Sequence, residues 1–289
     1  MAVYDANGNS LNSVFHADGE PLKYAYDSNG DLVIYTPELT LLNTMLMSSL
    51  NPDTSITPQG LAVYGNYIFQ FFTGDNKIRI FNKTNYELVS SYSATDIKHA
   101  NTMQFGAEIQ DTGFPLLYVS EWGNSGAEPS STIDVLKVSL SSYQIVSSFT
   151  LPNSAGYHPS FVGDWENNIG YSVGFADNSS TTTAQPNVIT KYDLTNMAVI
   201  EQYQVAYMGV LNGFEYFKGR LIYCGNTWNG TNANFSFINV LTHEVTVYSF
   251  NKAYNEEFEG YAVNNRELLC SNWLNDGTLK YRLYKMNLF

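Results

Sequence analysis

Five segments of the sequence open on polar side chains able to hold a ligand by hydrogen bonds. They are Gln59, His99 with Asn101, His158, Asn212, and the pair Glu257 and Glu259. Further along each segment stands an aromatic residue: Phe72, Trp122, Phe175, Trp228 or Trp273. Gly, Asn or Asp follows each one, in "FFTGDN", "EWGNSG", "GFADNSS", "TWNGTN" and "NWLNDG". Amides and carboxylates beside flat rings suit a saccharide, whose C–H faces stack on the rings while its hydroxyls meet the polar groups. Ligand sites in general are mostly apolar hollows with a few convergent polar groups. The alternative is packing for each aromatic and contact with channel water for each polar residue. Because the neighbouring Asn, Asp and Gly residues are poor core formers, the set as a whole reads as a binding mouth.

Other chemistry is sparse. Glu257 and Glu259 offer the paired carboxylates that glycoside hydrolysis needs, but alternate residues of a strand share a face and a solvated acidic rim has the same pattern. His99 and His158 lack the close His spacing of a zinc site, and no nucleotide-binding or nucleophile-elbow motif occurs. "DSNGD" places Asp27, Asn29 and Asp31 as a calcium loop would, with Glu38 beyond. Its Gly30 stands at the fourth loop position rather than the sixth and Pro37 interrupts, which favours a plain turn over calcium. No other cofactor is expected.

The elements that position these residues follow from the hydrophobic pattern. From about residue 58 onward, apolar alternation with period two is broken by Gly, Asn and Asp clusters, and no long stretch has helical period. The segments starting at Pro58, His99, His158, Leu211 and Phe258 each read as strand, tight turn, strand, loop, strand, turn, strand. Four strands repeated at such spacing describe the blade of a β-propeller. The last segment is one strand short, and "ELTLLNTMLMSS" (38–49) matches no blade of its own. An N-terminal strand that completes the last blade closes the ring and removes an exposed edge. The expectation is therefore an all-β, five-bladed β-propeller over residues 36–289, with 33–49 as closure; a β-sandwich of similar strands is the alternative weighed. In such a ring the first strand of each blade lines the channel, which brings the polar set and the aromatic set to one mouth.

Residues 1–35 repeat on a shorter scale. Tyr4, Phe15 and Tyr26 stand eleven apart, each followed four residues later by Gly8, Gly19 or Gly30, with Leu11, Leu22 and Leu32 beyond. Asn, Asp and Gly make each unit a hairpin-like turn between short extended pieces. One unit buries too little to fold alone and needs neighbours, either further copies or the same segment of other chains, so a homo-oligomer stays open.

Composition bounds the class. The chain has 289 residues, 44% hydrophobic, with 22 Tyr and 17 Phe, ample for a folded core. A net charge of −13 without any Lys/Arg cluster argues against nucleic-acid and anionic-membrane partners. No run is apolar and long enough to span a bilayer as a helix, and the N-terminal residues lack the basic and apolar regions of a signal peptide. Cys224 and Cys270 occupy matching places in "LIYCGN" and "ELLCSN" on neighbouring blades, and are expected to be buried, unbridged thiols.

Two resemblances attach to these motifs. "PQGLAVYGNYIFQFFTGDNKIRIFNKTNYELV", with Gln59 in Gln-Gly-Leu, and "LNGFEYFKGRLIY", with Asn212 and Glu215, resemble the first blade and the Leu-Asn-Glu-Leu-Glu-Tyr blade of plant-type glutaminyl cyclases (glutamine cyclotransferases). That family is a five-bladed propeller. Where its second blade carries the catalytic Glu in Gly-Glu-Gly, this chain has "HANTMQF", so no catalytic residue is carried over and the chain reads more as a non-enzyme than as an enzyme. The Tyr-Asp-x-x-Gly-Asn-x-Leu repeats resemble N-terminal segments of tail proteins from phages and prophages of gut bacteria. The resemblance implies a virion protein that docks on tail or baseplate partners through residues 1–35. Its propeller would bind a bacterial surface saccharide, as a receptor-binding or adhesion module. Two alternatives stand beside it: a glutaminyl cyclase-like or saccharide-processing enzyme, and a structural head without ligand. An extracellular or cytoplasmic bacterial protein is the alternative to the virion.

Overall fold

The computed structural model describes residues 3–4, 10–11, 24–26, 32–35, 37–52, 56–97, 99–121, 132–152, 157–176, 186–209, 211–226 and 230–288. Two short antiparallel pairs come first, β1 (Val3–Tyr4) with β2 (Ser10–Leu11) and β3 (Tyr24–Tyr26) with β4 (Leu32–Tyr35). Each pair lies within one repeat of the N-terminal segment, as a turn of Asn, Asp and Gly between short extended pieces predicts.

Five four-stranded antiparallel sheets follow as a five-bladed propeller. Blade 1 is β6 (Thr57–Tyr64), β7 (Tyr67–Thr73), β8 (Lys77–Asn82) and β9 (Leu88–Ser93). Blade 2 is β10 (Ala100–Ile109), β11 (Pro115–Glu121), β12 (Thr132–Val138) and β13 (Tyr143–Thr150). Blade 3 is β14 (Tyr157–Asp164), β15 (Ile169–Phe175), β16 (Asn187–Asp193) and β17 (Ala198–Val205). Blade 4 is β18 (Leu211–Phe217), β19 (Arg220–Asn226), β20 (Asn232–Asn239) and β21 (Val245–Asn251). Blade 5 is β22 (Glu256–Asn264), β23 (Glu267–Asn275) and β24 (Leu279–Asn287), completed by β5 (Leu39–Leu46) from before blade 1.

The closure strand is shorter than the sequence suggests. Residues 33–35 pair with β3 instead, Pro37 breaks the ladder because it has no N–H to give, and Met47–Leu50 turn as α1 rather than extending the strand. Beyond α1, Asn51 Nδ2 donates to Asp75 Oδ2 at 2.9 Å, and Arg79 Nη2 donates to the Leu50 carbonyl at 3.2 Å. The closing segment is thus bonded to blade 5 on one side and to blade 1 on the other.

The core is divided among the blade interfaces, with one apolar cluster at each. Sheets buried on both faces explain why the second and third strands read as nearly unbroken apolar runs, while the outermost strands alternate toward solvent. Cys224 and Cys270 both lie buried and free in the blade 4–blade 5 cluster, and the Tyr261 hydroxyl donates to Cys224 Sγ at 2.7 Å.

One local feature recurs in every innermost strand. The register with the second strand slips by one residue between Pro58 and Leu61, Ala100 and Thr102, Tyr157 and Ser160, Leu211 and Gly213, and Phe258 and Gly260. Such a β-bulge bends the strand and re-aims the extra side chain. Aligned on the bulge, the five strands read QGLA, NTMQ, PSFV, NGFE and EGYA. The second position must be small because the next blade's innermost strand presses against it. A Cβ on Gly213 would collide with the Tyr261 ring, and one on Gly260 with the Gln59 carbonyl oxygen. The third position is a buried apolar anchor, from Leu61 to Tyr261.

Candidate functional site

The bulge sets the first position of each tetrapeptide at the channel mouth where the innermost strands begin. Gln59, Asn101 and Asn212 are all buried there. Asn212 Nδ2 donates to Glu257 Oε1 at 3.1 Å and Glu259 Oε2 at 3.4 Å across the blade 4–blade 5 boundary. One amide thus grips both carboxyls, of Glu257 and of Glu259 at the bulge of β22.

Burial pushes both carboxyls above the usual carboxylate range. At Glu257 it is opposed by the Asn212 amide and by the charge of nearby Lys252. At Glu259 the charge of Glu257 adds to it, and the Asn212 amide and the neighbouring Trp273 indole offset only part. Glu259 is the more strongly raised of the two, because burial and the charge of Glu257 act on it together. Lys252 is itself buried and donates to the carbonyls of Gly230 and Glu256, each at 2.6 Å.

Four expected residues are therefore brought together: Asn212, Glu257, Glu259 and Trp273. Two buried polar atoms at the same level, Asn101 Nδ2 and Asn212 Oδ1, have no hydrogen-bond partner among the described residues. His99 is half-buried beside this mouth, and burial lowers its pKa, which favours the neutral ring. The β14 backbone carries His158 to the same level, although its side chain lies outside the described residues, as do Trp122 and Trp228. Asp27, Asn29 and Asp31 also lie outside them. Among the described residues, no group of three or more His, Cys, Asp or Glu is arranged to hold a metal ion.

Phe175 is a correction. It is not a stacking plate but part of the blade 3–blade 4 core, packed in one cluster with Leu211 and Tyr223. Phe72 is likewise wholly buried, with the Arg79 guanidinium 4.7 Å from its ring centre. Both end second strands sandwiched between blades, where an apolar ring gains more from packing than from facing the mouth.

Solved structures now bear on the fold. A glutaminyl cyclase from Myxococcus xanthus superposes with a TM-score of 0.53 at 11% identity, over 87% of this chain and 97% of that one. A GH43_1 enzyme from Xanthomonas citri gives a TM-score of 0.51 at 8% identity, over 84% and 89%. The likeness is one of fold. No family model and no curated protein matches the sequence.

The sequence reading missed a cavity at the opposite mouth, where the innermost strands end. It measures about 630 Å³ and is walled by the fourth position of the tetrapeptides of blades 1, 2, 4 and 5, with neighbouring strand residues and the turns beyond. Blades 1 and 5 place Ala62 and Ala262 there, and blades 2 and 4 place Gln104 and Glu215. Two small residues facing two long polar ones leave the space. The Gly163 N–H donates to Gln104 Oε1 at 2.6 Å, and Gln104 Nε2 donates to Glu215 Oε2 at 3.4 Å. Burial drives the Glu215 carboxyl well above the usual range, outweighing the backbone amides of Tyr216 and Val263 and the Gln104 amide. The signal in the sequence is Ala62, Gln104, Glu215 and Ala262 after their aligned tripeptides, but it needs the bulge for its alignment.

Proposed function

We propose that the protein is a phage tail or baseplate appendage whose propeller binds a bacterial surface saccharide at the mouth where the innermost strands begin. The observation that carries the binding reading is the Asn212–Glu257–Glu259–Trp273 cluster. It joins an amide, a carboxyl pair of raised pKa and an indole at one channel mouth, beside buried amide atoms without partners. Buried polar atoms are nearly always satisfied, so unpaired ones lining a channel call for water or a ligand. Hydroxyl groups suit this set, since each can donate to the ionised carboxylate and accept from an amide or a protonated acid. Support for the tail assignment comes from the Tyr-Asp-x-x-Gly-Asn-x-Leu repeats.

An enzyme on the same scaffold has one observation in its favour: a protonated carboxyl beside an ionised one is an acid next to a base. The geometry speaks against glycoside hydrolysis: Asn212 Nδ2 bonds to both carboxyls and occupies the space between them that a glycosidic bond or an attacking water would need. Binding is the better reading.

The test is a glycan array with the purified full chain, followed by calorimetry on any hit with Asn212→Ala and Glu259→Gln. Both variants should remain folded and bind at least about fivefold more weakly, on the order of one lost hydrogen bond. No hit on the array, or hits that both variants bind as tightly as the wild type, would remove the mouth from consideration. Mass spectrometry of the bound glycan after long incubation separates binding from hydrolysis. For the tail assignment, a chain lacking residues 1–35 should no longer enter phage particles.

A further inference from the structure

The cavity at the opposite mouth is built from chemistry of its own. Its interior side carries Gln104 and Glu215 from facing blades. Because Gln104 Oε1 takes the Gly163 N–H, the amide is held one way round, with one Nε2 proton toward Glu215 and the other free for a ligand. Glu215 is only 2% exposed, burial drives its carboxyl pKa well above the usual range, and its Oε1 has no hydrogen-bond partner among the described residues. Opposite them, Ala62 and Ala262 present methyl groups.

The rim adds an aromatic wall with a second donor. The Trp165 ring folds back over the bare Cα of Gly163 and lies 4.2 Å from the Tyr118 ring, centroid to centroid. A Cβ at position 163 would sit inside that indole, so glycine is required for this pose. Trp165 Nε1 is buried and has no hydrogen-bond partner among the described residues, an unmet donor at the edge of a cavity. The charged groups lining the space are Asp164, Glu166 and Lys218, besides Glu215. Without an Arg fork, and with Lys218 the one cation among these, the site is poorly suited to an anion.

We propose that this second mouth is a binding site for an N-acetylated hexose. The acetamido carbonyl would accept from the free Nε2 proton of Gln104, beside Glu215. Its methyl group would rest on Ala62 and Ala262, and the C–H face of the pyranose on Trp165. A volume of about 630 Å³ lies within the range of small-ligand pockets and holds one or two sugar rings. The site differs from the carboxylate-pair mouth in residues, donors and blade ends, and its proposal does not depend on that one.

The test labels the full chain with 5-fluorotryptophan, which gives one fluorine signal for each of its four tryptophans. The Trp165 signal is assigned by its loss in Trp165→Phe. N-acetylglucosamine, N-acetylgalactosamine and N-acetylmannosamine are then titrated singly, each against its parent hexose. At least one N-acetyl sugar should move the Trp165 signal saturably, with an affinity about tenfold or more above that of its parent, because the parent's 2-hydroxyl has neither the reach of the acetamido carbonyl nor a methyl group for Ala62 and Ala262. Gln104→Leu, if its melting temperature is kept, should abolish that preference. The inference is overturned if the Trp165 signal stays still with all three sugars, if it responds equally to parent hexoses, or if only other tryptophan signals move.

Discussion

Removing the closure strand tests the architecture most directly. Deletion of residues 1–54 takes away β5 and α1, including half-buried Leu39, Leu42 and Met45 and the buried Met47. Three half-buried side chains at about 1 kcal/mol each and Met47 at about 2 give roughly 5 kcal/mol of lost burial. The loss exposes β24 as well, whose Tyr281, Leu283 and Met286 are nearly inaccessible in the closed ring. Since a domain's total stability is on the order of 5–15 kcal/mol, the truncated chain should be largely unfolded, or melt about 10–20 °C lower where it folds. A chain starting at Pro37 should melt with the full chain. The pairing of Leu39 with Met286 places the start of β5 beside the end of β24, so a short turn can join them. A circular permutant running from Ser55 to Phe289 and on through that turn to 37–54 should regain the lost stability. Circular dichroism melts and urea midpoints of the three proteins decide the matter. If the chain starting at Ser55 melts within a few degrees of the full chain, or the permutant gains nothing over it, the strand does not hold the ring closed.

Other substitutions probe the joints and the carboxyls. Arg79→Met removes the two-pronged contact with Asp75 (Nη1 to Oδ1 at 3.1 Å, Nη2 to Oδ2 at 2.5 Å) and strands a carboxylate in blade 1, costing about 3–5 kcal/mol by denaturant titration. Burial raises the Asp75 pKa, but Arg79 outweighs it and the net shift is downward. The wild type should therefore lose this contribution as pH falls through the depressed value, and the variant should show no such acid-side loss. Gly213→Ala drives a methyl into the Tyr261 ring and should cost at least about 1–3 kcal/mol in melts, whereas Ala at Gly65, where a Cβ meets nothing, carries only the strain of its positive φ. Glu259→Gln should leave stability in acid nearly unchanged and raise it at neutral and alkaline pH. A carboxyl whose folded pKa is raised stabilises fully below its unfolded value, and that contribution is lost as pH rises through the folded value. A wild-type melting profile flat from the ordinary carboxylate range upward would contradict the buried proton.

What the sequence made legible is what local rules govern. Alternation and turn residues mark every blade, and the strand-short last segment together with the orphan stretch before the first blade foretold the pairing of β5 with β24. What stayed hidden depends on neighbours distant in the chain. An aromatic at the end of a second strand can face the mouth or the next blade, and only the neighbour's position sends Phe72 and Phe175 into the core while leaving Trp273 beside Glu259. Similarly, Glu257 and Glu259 read as a solvated rim until Asn212 of blade 4 is seen to close over them.

The one-residue bulge is the deepest of these hidden terms. Side chains alternate with period two along a strand, so a single extra residue reverses which ones face the channel beyond it. Without it, an inward-facing Gln59 or Asn212 would place Leu61 or Phe214 in the channel as well, and both are instead buried anchors. With it, polar groups reach the axis at the beginning of the strand and again at its end, three residues on rather than two or four. That spacing connects Asn212 to Glu215 and Asn101 to Gln104, so one strand supplies both mouths. The two sites therefore share a register but not their chemistry: deleting the bulge residue Asn212 should disrupt both mouths together, whereas substituting it to alanine should disturb only the first. Fluorine spectra of the two proteins, read at Trp273 and at Trp165, distinguish these outcomes, and a deletion that leaves the Trp165 signal in place would show that the bulge does not set the register of the channel.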